Sequence, residues 1–309
     1  MAGKNRQGYA IYATVMVMFL GGCVVAYIAE AHGSPAQHAA GLHTGVIHGS
    51  VGGNMEGKEP RFGIAGSAIF DVVTTVTSCG AVNSALESFT GIGGAIPMAN
   101  LSASETIFGG VGTGLYSILM YVVLAVFIGG LMVGRTPEYL GKKIEGREIK
   151  LVALGILITP LAALFSTALA VASSAGRKSI FNAGPQGFSE SFYAYLSQAN
   201  NNGSAFAGYT GYVPGPNPGN LGAHGITFAN LLGGVTMMFA RYAPILFALA
   251  LAGALAGKRI SPPGLGTMRT DNPTFVVLLI GVIVLVGALT FFPALLLGPI
   301  VQGLTGHLY

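Results

Sequence analysis

Residues 61–83 read RFGIAGSAIFDVVTTVTSCGAVN, and whether they cross a membrane or turn back inside one decides the fold. The first part, 61–76, is apolar enough for a helix in lipid. At 1.5 Å per residue it reaches ~24 Å, short of a hydrocarbon core about 30 Å thick. It then runs into Thr77, Ser78, Cys79, Gly80 and Asn83, all small or polar. A second stretch repeats the arrangement: GFSESFYAYLSQ, 187–198, leads into ANNNGSAFAG, 199–208. Two readings are open. The stretches are surface loops with amphipathic helices, or they are re-entrant hairpins in which a half-helix dips into the bilayer and extended backbone climbs out.

Composition places the chain in lipid. Of 309 residues 52% are hydrophobic and only 8% charged, against about a quarter charged in soluble domains. Its 48 glycines suit close helix packing and non-helical backbone held inside protein. Five stretches are long enough to span: Tyr9–Ala29, Leu115–Val133, Leu151–Ser173, Ile226–Ala256 and Thr274–Leu297. The first follows Lys4 and Arg6 and ends in AEA, as a cleaved signal peptide does. Its apolar run exceeds the usual 7–15 residues of such a leader, which favours a retained span.

Charge placement arbitrates the topology. With the N-terminus inside, the inner segments carry Lys4, Arg6, Arg135, Lys142, Lys143, Arg147, Lys150, Lys258, Arg259 and Arg269. The outer ones carry Lys58, Arg61, Arg177 and Lys178. This obeys the positive-inside rule when the two short segments do not cross; if both crossed, Lys4 and Arg6 would fall on the opposite side. The C-terminus, after five spans, lies outside. The small, one-sided net charge of +4 reports topology and not a nucleic-acid surface. The expectation is an all-α polytopic membrane protein of span–half-helix–span repeats, with about five spanning helices and two re-entrant pore loops. Residues 1–150 form one unit with its inner link, 151–272 a second, and 273–309 an extra terminal helix.

Such a unit has a physical use. Cations prefer the negative C-terminal end of a helix. Extended backbone beyond that end offers carbonyl oxygens that replace an ion's hydration shell. Glycine lets backbone approach closely.

Four stretches, TTVTSCGAVNSALESFTGIGGAIPM, FGGVGTGLYSILMYVVLAVFIGGLMVGRTPEYLGKKIE, ANNNGSAFAG and GALTFFPALLLGP, closely resemble the potassium-binding A subunit of the bacterial Kdp potassium-transporting P-type ATPase. The resemblance covers essentially the whole chain but only the C-terminal half of that family. It implies two of four span–pore–span units around one pore, with the N-terminal half absent. Met1 is then an internal methionine of a longer protein or the start of a split gene. The implied filter residues are Thr77, Ser78, Cys79 and Gly80 in one segment and Asn200, Asn201, Asn202 and Gly203 in the other, binding potassium, with no further cofactor. The implied partners are the missing half, an ATP-hydrolysing B subunit, a C subunit, a small F subunit and the lipid bilayer, in the bacterial cytoplasmic (inner) membrane. No phosphate-binding glycine–lysine loop or phosphorylatable aspartate motif is present, so hydrolysis belongs to a partner.

Individual residues sharpen this. Cys79 has no basic neighbour in sequence to lower its pKa, so it reads as a small packed residue beside the filter. The run Asn200–Asn202 either bonds backbone to hold the filter open or simply turns. Arg241 lies mid-span, where a charge is costly unless paired or hydrated; below a cation filter it would block leakage. Glu105 is either an outer-loop carboxylate or faces the ion path. The glycines after it, Gly110 and Gly112 among them, argue for a broken helix or gating loop. Asp71 attracts cations or pairs locally. His32, His38, His43, His48, His224 and His307 fall mostly in outer loops without regular metal-ligand spacing. Residues 211–224 read as an exposed insertion. Cys23 falls in an apolar span, which argues against a disulfide with Cys79. Two other functions compete: a stand-alone potassium channel or symporter-type subunit acting as a homodimer, and a membrane-embedded thiol enzyme using Cys79.

Overall fold

The computed structural model describes residues 5–46, 52–211, 227–262, 264 and 267–305. Most of the insertion expected at 211–224, together with His48, His224 and His307, lies outside the described residues.

Five helices are long and apolar enough to cross a membrane. They are α1 (Asn5–His32), α5 (Thr113–Val133), α6 (Gly146–Ala172), α9 (Phe228–Ala256) and α10 (Pro273–Leu295). The last continues through a π-helical turn, Leu296–Ile300, into α11 (Val301–Leu304). Pro299 has no N–H for the preceding turn, and the helix widens there. Short helices α2 (Pro35–Ala39) and α7 (Ser174–Arg177) follow the first and third spans, and the Ser34 and Gln37 side chains close a capping box on α2.

Residues 61–76 and 187–198 are the half-helices α3 (Gly63–Val76) and α8 (Gly184–Ala199). Each sits in a hairpin pinned at its base by one antiparallel bridge, Lys58 to Ser84 and Ile180 to Tyr209. The chain therefore enters and leaves on one side, as a re-entrant segment must.

The broken helix expected around Gly110 and Gly112 is present, and three details go beyond the sequence reading. The second span of the first unit comes in two pieces. Helix α4 (Gly91–Ser102), capped by Thr90, precedes an irregular break at 103–112, and α5 follows. Periodicity hides α4 because its sequence, GIGGAIPMANLS, carries three glycines and a proline, poor helix formers. Helix α6 starts at Gly146, ahead of Leu151, because Glu145 and Glu148 form a capping box among the charged residues. The link between α5 and α6 holds a hairpin, β1 (Glu138–Tyr139) and β2 (Lys142–Lys143), turned by Leu140 and Gly141, both at positive φ.

Two apolar clusters organise the molecule. One packs α1, α3, α5 and α10 around Val72, Val76, Tyr121, Leu279 and Ile283. The other packs α4, α6, α8 and α10 around Met98, Phe192, Leu196 and Phe291. The opposite faces of the long helices leave Leu20, Val24, Leu161, Phe165, Leu249 and Leu289 exposed, as lipid-facing surfaces do.

Candidate functional site

Both half-helices end in the same turn. At the first, Thr77 N–H reaches Val73 O (3.1 Å) and Cys79 N–H reaches Thr74 O (3.2 Å). At the second, Asn200 N–H reaches Leu196 O (3.1 Å) and Asn202 N–H reaches Ser197 O (2.9 Å). The six-to-one bond of each set defines a Schellman-type close, which needs a left-handed residue just past the cap. Ser78 (φ 55°) and Asn201 (φ 52°) supply it. Two residues on, Gly80 (φ 80°) and Gly203 (φ 105°) take positive φ again. TSCG at 77–80 and NNNG at 200–203 are thus one backbone design in different side chains.

The two turns meet. A Cβ on Gly80 would collide with the Asn202 carbonyl oxygen and stand 3.1 Å from the Gly203 Cα. Asn202 Nδ2 donates to Thr74 O (2.7 Å), the carbonyl that already accepts from Cys79. Asn200 Nδ2 donates to Leu101 O (2.9 Å) and Leu196 O (2.8 Å), while Asn202 Oδ1 accepts from Ser204 N–H (3.0 Å). The asparagine run therefore does both things the sequence left open: it turns, and its amides brace neighbouring backbone. Asn200 and Asn202 are buried, whereas Cys79 and Gly203 are exposed on the other face. Exposure corrects the expectation of a packed thiol at Cys79, which lies past the Thr77 cap of α3 and off that helix's buried face. Cys79 and Cys23 are both free.

Behind the turns lies the break at 103–112. Ser104, Glu105 and Phe108 all adopt positive φ, a concentration of backbone strain typical of functional segments. Gly109 N–H donates to Val76 O (2.7 Å), clipping the break to the last turn of α3. This turns Glu105 inward, where it is buried, so the outer-loop reading of this residue is set aside. The Ser78 hydroxyl stands 2.8 Å from both Glu105 Oε1 and the Asn200 carbonyl, one proton between two acceptors. Arg241, half-buried in the middle of α9, places Nη1 3.8 Å from the same Glu105 oxygen. A cavity of about 30 Å³, large enough to hold water, lies among Glu105, Tyr116, Asn200, Asn201 and Arg241.

The remaining predicted residues divide. Gly110 adjoins the site, its Cβ position 3.4 Å from Ser78 Cβ and 3.6 Å from Glu105 Oε2. Gly112 caps α5 with open surroundings and touches nothing in the site. Asp71 does not pair locally: it is 1% exposed, and neither carboxylate oxygen has a hydrogen-bond partner in the protein. Thr74, whose carbonyl joins the two turns, carried no sequence signal, since only the folded chain brings Asn202 to it. Among the described residues no group of three or more His, Cys, Asp or Glu side chains could hold a metal ion.

The sequence profile described as potassium-transporting ATPase A subunit matches residues 1–304. Relatives described as potassium-transporting ATPase potassium-binding subunits are similar throughout. That of Mesorhizobium japonicum is 53% identical over 304 residues, 98% of this chain and 50% of its own length. That of Methylobacterium nodulans is 53% identical over 306 residues, 99% of this chain and 50% of its own. That of Rhizobium rhizogenes is 51% identical over 305 residues, again 99% and 50%. The chain spans about half the length of the curated relatives it matches.

Proposed function

Because this chain belongs to the potassium-transporting ATPase A subunit family and is a multi-pass membrane protein, we propose that it forms two of the four sides of a potassium filter. It corresponds in this reading to the C-terminal half of the subunit. The observation that carries the reading is the pair of matched helix-end turns, 77–80 and 200–203, meeting with one face open. Carbonyls at the negative ends of two half-helices substitute for water around a dehydrated potassium ion, which is cargo. Ser78 and the asparagine amides hold those carbonyls in place. Below, the Arg241 charge repels cations that would leak straight through, and Glu105 offsets that charge at the point where the ion turns aside. The ATP-hydrolysing B subunit, with the C and F subunits, supplies the energy in this proposal. The complex sits in the cytoplasmic membrane with Lys4 inside and the C-terminus outside.

The test is rubidium binding to the purified chain in lipid, alone and co-assembled with the other half of the subunit. Saturable binding, displaced by potassium but not sodium, appears on co-assembly and falls at least tenfold with Gly80→Ala. Equal binding by the chain alone as a cross-linkable homodimer, with channel conduction and no ATPase partners, would instead establish the dimeric channel. Binding unaffected by Gly80→Ala removes the filter assignment from these turns.

A further inference from the structure

Asp71 is the unexplained group in the fold. It lies in α3, 1% exposed, and neither oxygen meets a donor from the protein. Ser67 and Thr74 are buried too, and their hydroxyls likewise lack partners. Positions 67, 71 and 74 follow one another by four and three residues, so the three share one face of the helix. An ionised carboxylate there, without donor or counter-charge, is expensive enough that such groups neutralise instead.

The surrounding charges offer no remedy. The cation whose field reaches Asp71 is Lys58, from the inbound limb of the hairpin. Lys58 Nζ is already committed to Glu30 Oε2 at 2.7 Å, both side chains fully buried. From α1, Glu30 adds like charge and Cys23 a neutral thiol; from α8, Tyr193 faces it as a phenol hydrogen-bonded to Ser204 (2.8 Å). Helix α4, also packed on α3, contains no titratable side chain. Among the described residues no group of three or more His, Cys, Asp or Glu side chains gathers here to hold a metal ion. A proton needs a single oxygen.

We propose that Asp71 carries a bound proton behind the first filter turn, and that its loss in alkali loosens the joint between the two turns. The route is short. The Asp71 carbonyl accepts from Thr75 Oγ1 (2.8 Å), and Asn100 Nδ2 donates to that same hydroxyl (3.1 Å). The next carbonyl on this face, that of Thr74, holds Cys79 and Asn202 together. Ionisation drives the Asp71 side chain toward water and displaces the helical turn that carries this carbonyl.

The chain contains only two aspartates, which makes the test clean. Asp271 is half-exposed just before α10, and its hydrogen bond with Arg269 (3.1 Å) holds its carboxyl below the usual carboxylate range. Infrared spectra of the full chain in lipid vesicles, with and without ¹³C-aspartate, are expected to show a protonated-carboxyl C=O band at neutral pH that shifts on labelling. The band disappears in Asp71→Asn. Relative to that variant, the folding equilibrium of the unmodified chain falls an extra tenfold per pH unit above the ordinary carboxylate range, until the buried acid itself ionises. A label-insensitive spectrum at neutral pH overturns the proposal. So does rubidium binding to the unmodified chain that Asp71→Asn abolishes, since the counter-charge would then be a metal cation. The labelling arm needs no variant, so a failure of Asp71→Asn to fold does not blunt the test, and it is independent of whether the turns bind potassium.

Discussion

At the scale of single residues, the chemistry lies in backbone that side chains hold in uncommon conformations. Gly80 is the strictest case: positive φ and the Asn202 carbonyl together exclude any Cβ. Gly80→Ala is expected to cost ~1–3 kcal/mol from the left-handed strain alone, before the collision is relieved. Thermal melting in detergent should register it as a lowered Tm together with lost rubidium binding. Ser78 sits in the same region of φ with a hydroxyl that serves Glu105 and Asn200 at once. Ser78→Gly relaxes the turn yet deletes the bridge, while Ser78→Ala deletes the bridge and keeps the strain. Binding weakens in both, and Ser78→Ala melts lower than Ser78→Gly. Equal melting would show that the strain at Ser78 is negligible. The sequence made Ser78 and Gly80 visible through their small size beside a half-helix. It gave no sign of the Thr74 carbonyl or of the orphaned Asp71, because both depend on what the fold brings across from other elements.

Among elements, length and hydropathy were enough to find the five spans and both half-helices, since lipid imposes a minimum length that α3 and α8 do not meet. Helix α4 and the break at 103–112 were only partly legible: glycines signalled interruption, but a short glycine-rich helix has no apolar periodicity to announce it. The junction between α9 and α6 shows a different device. Lys258, beyond the end of α9, spends its three N–H donors on Lys143 O (2.8 Å), Glu145 Oε2 (3.1 Å) and Glu148 Oε2 (2.7 Å). It thereby fastens α9 to the start of α6. Lys258→Ala leaves Glu148, whose side chain is almost fully buried, without its cation, and is expected to lower Tm by a few degrees. The hydrogen bond and charge of Lys258 also hold Glu145 below the usual carboxylate range. A depressed carboxylate stabilises the fold above its unfolded pKa and loses that contribution as pH falls through the folded one. The difference in Tm between Lys258→Ala and the unmodified chain therefore shrinks in acid. A difference that is constant from neutral pH to pH ~3 would locate the clamp's effect in packing alone.

Across the whole molecule, the base of the first hairpin is closed by buried polar contacts while the face at the two helix-end turns is open. Glu30, Lys58, Asn54 and Thr90 join the end of α1, the inbound limb of the first hairpin and the start of α4 in one buried network. Glu30 Oε1 accepts the Thr90 N–H and hydroxyl at 2.8 Å each, and Oε2 accepts Asn54 Nδ2 and Lys58 Nζ. Glu30→Gln leaves a buried ammonium without its counter-charge, a loss of about 3–5 kcal/mol. Adding Lys58→Met to it should recover part of the stability, which melting of the two variants side by side will measure. The turns at 77–80 and 200–203 have no comparable cover: Asn200 and Asn202 are buried against this chain, while Cys79 and Gly203 are exposed. If the other half of the subunit completes the pore, that face becomes buried. A membrane-impermeant maleimide should then label Cys79 readily in the chain alone and slowly, by tenfold or more, after co-assembly in the presence of potassium. Cys23, half-buried within α1 and inside the bilayer, serves as the internal control and stays unlabelled in both states. Undiminished labelling of Cys79 in an assembly that still binds rubidium would place the ion elsewhere and leave the two turns as scaffolding.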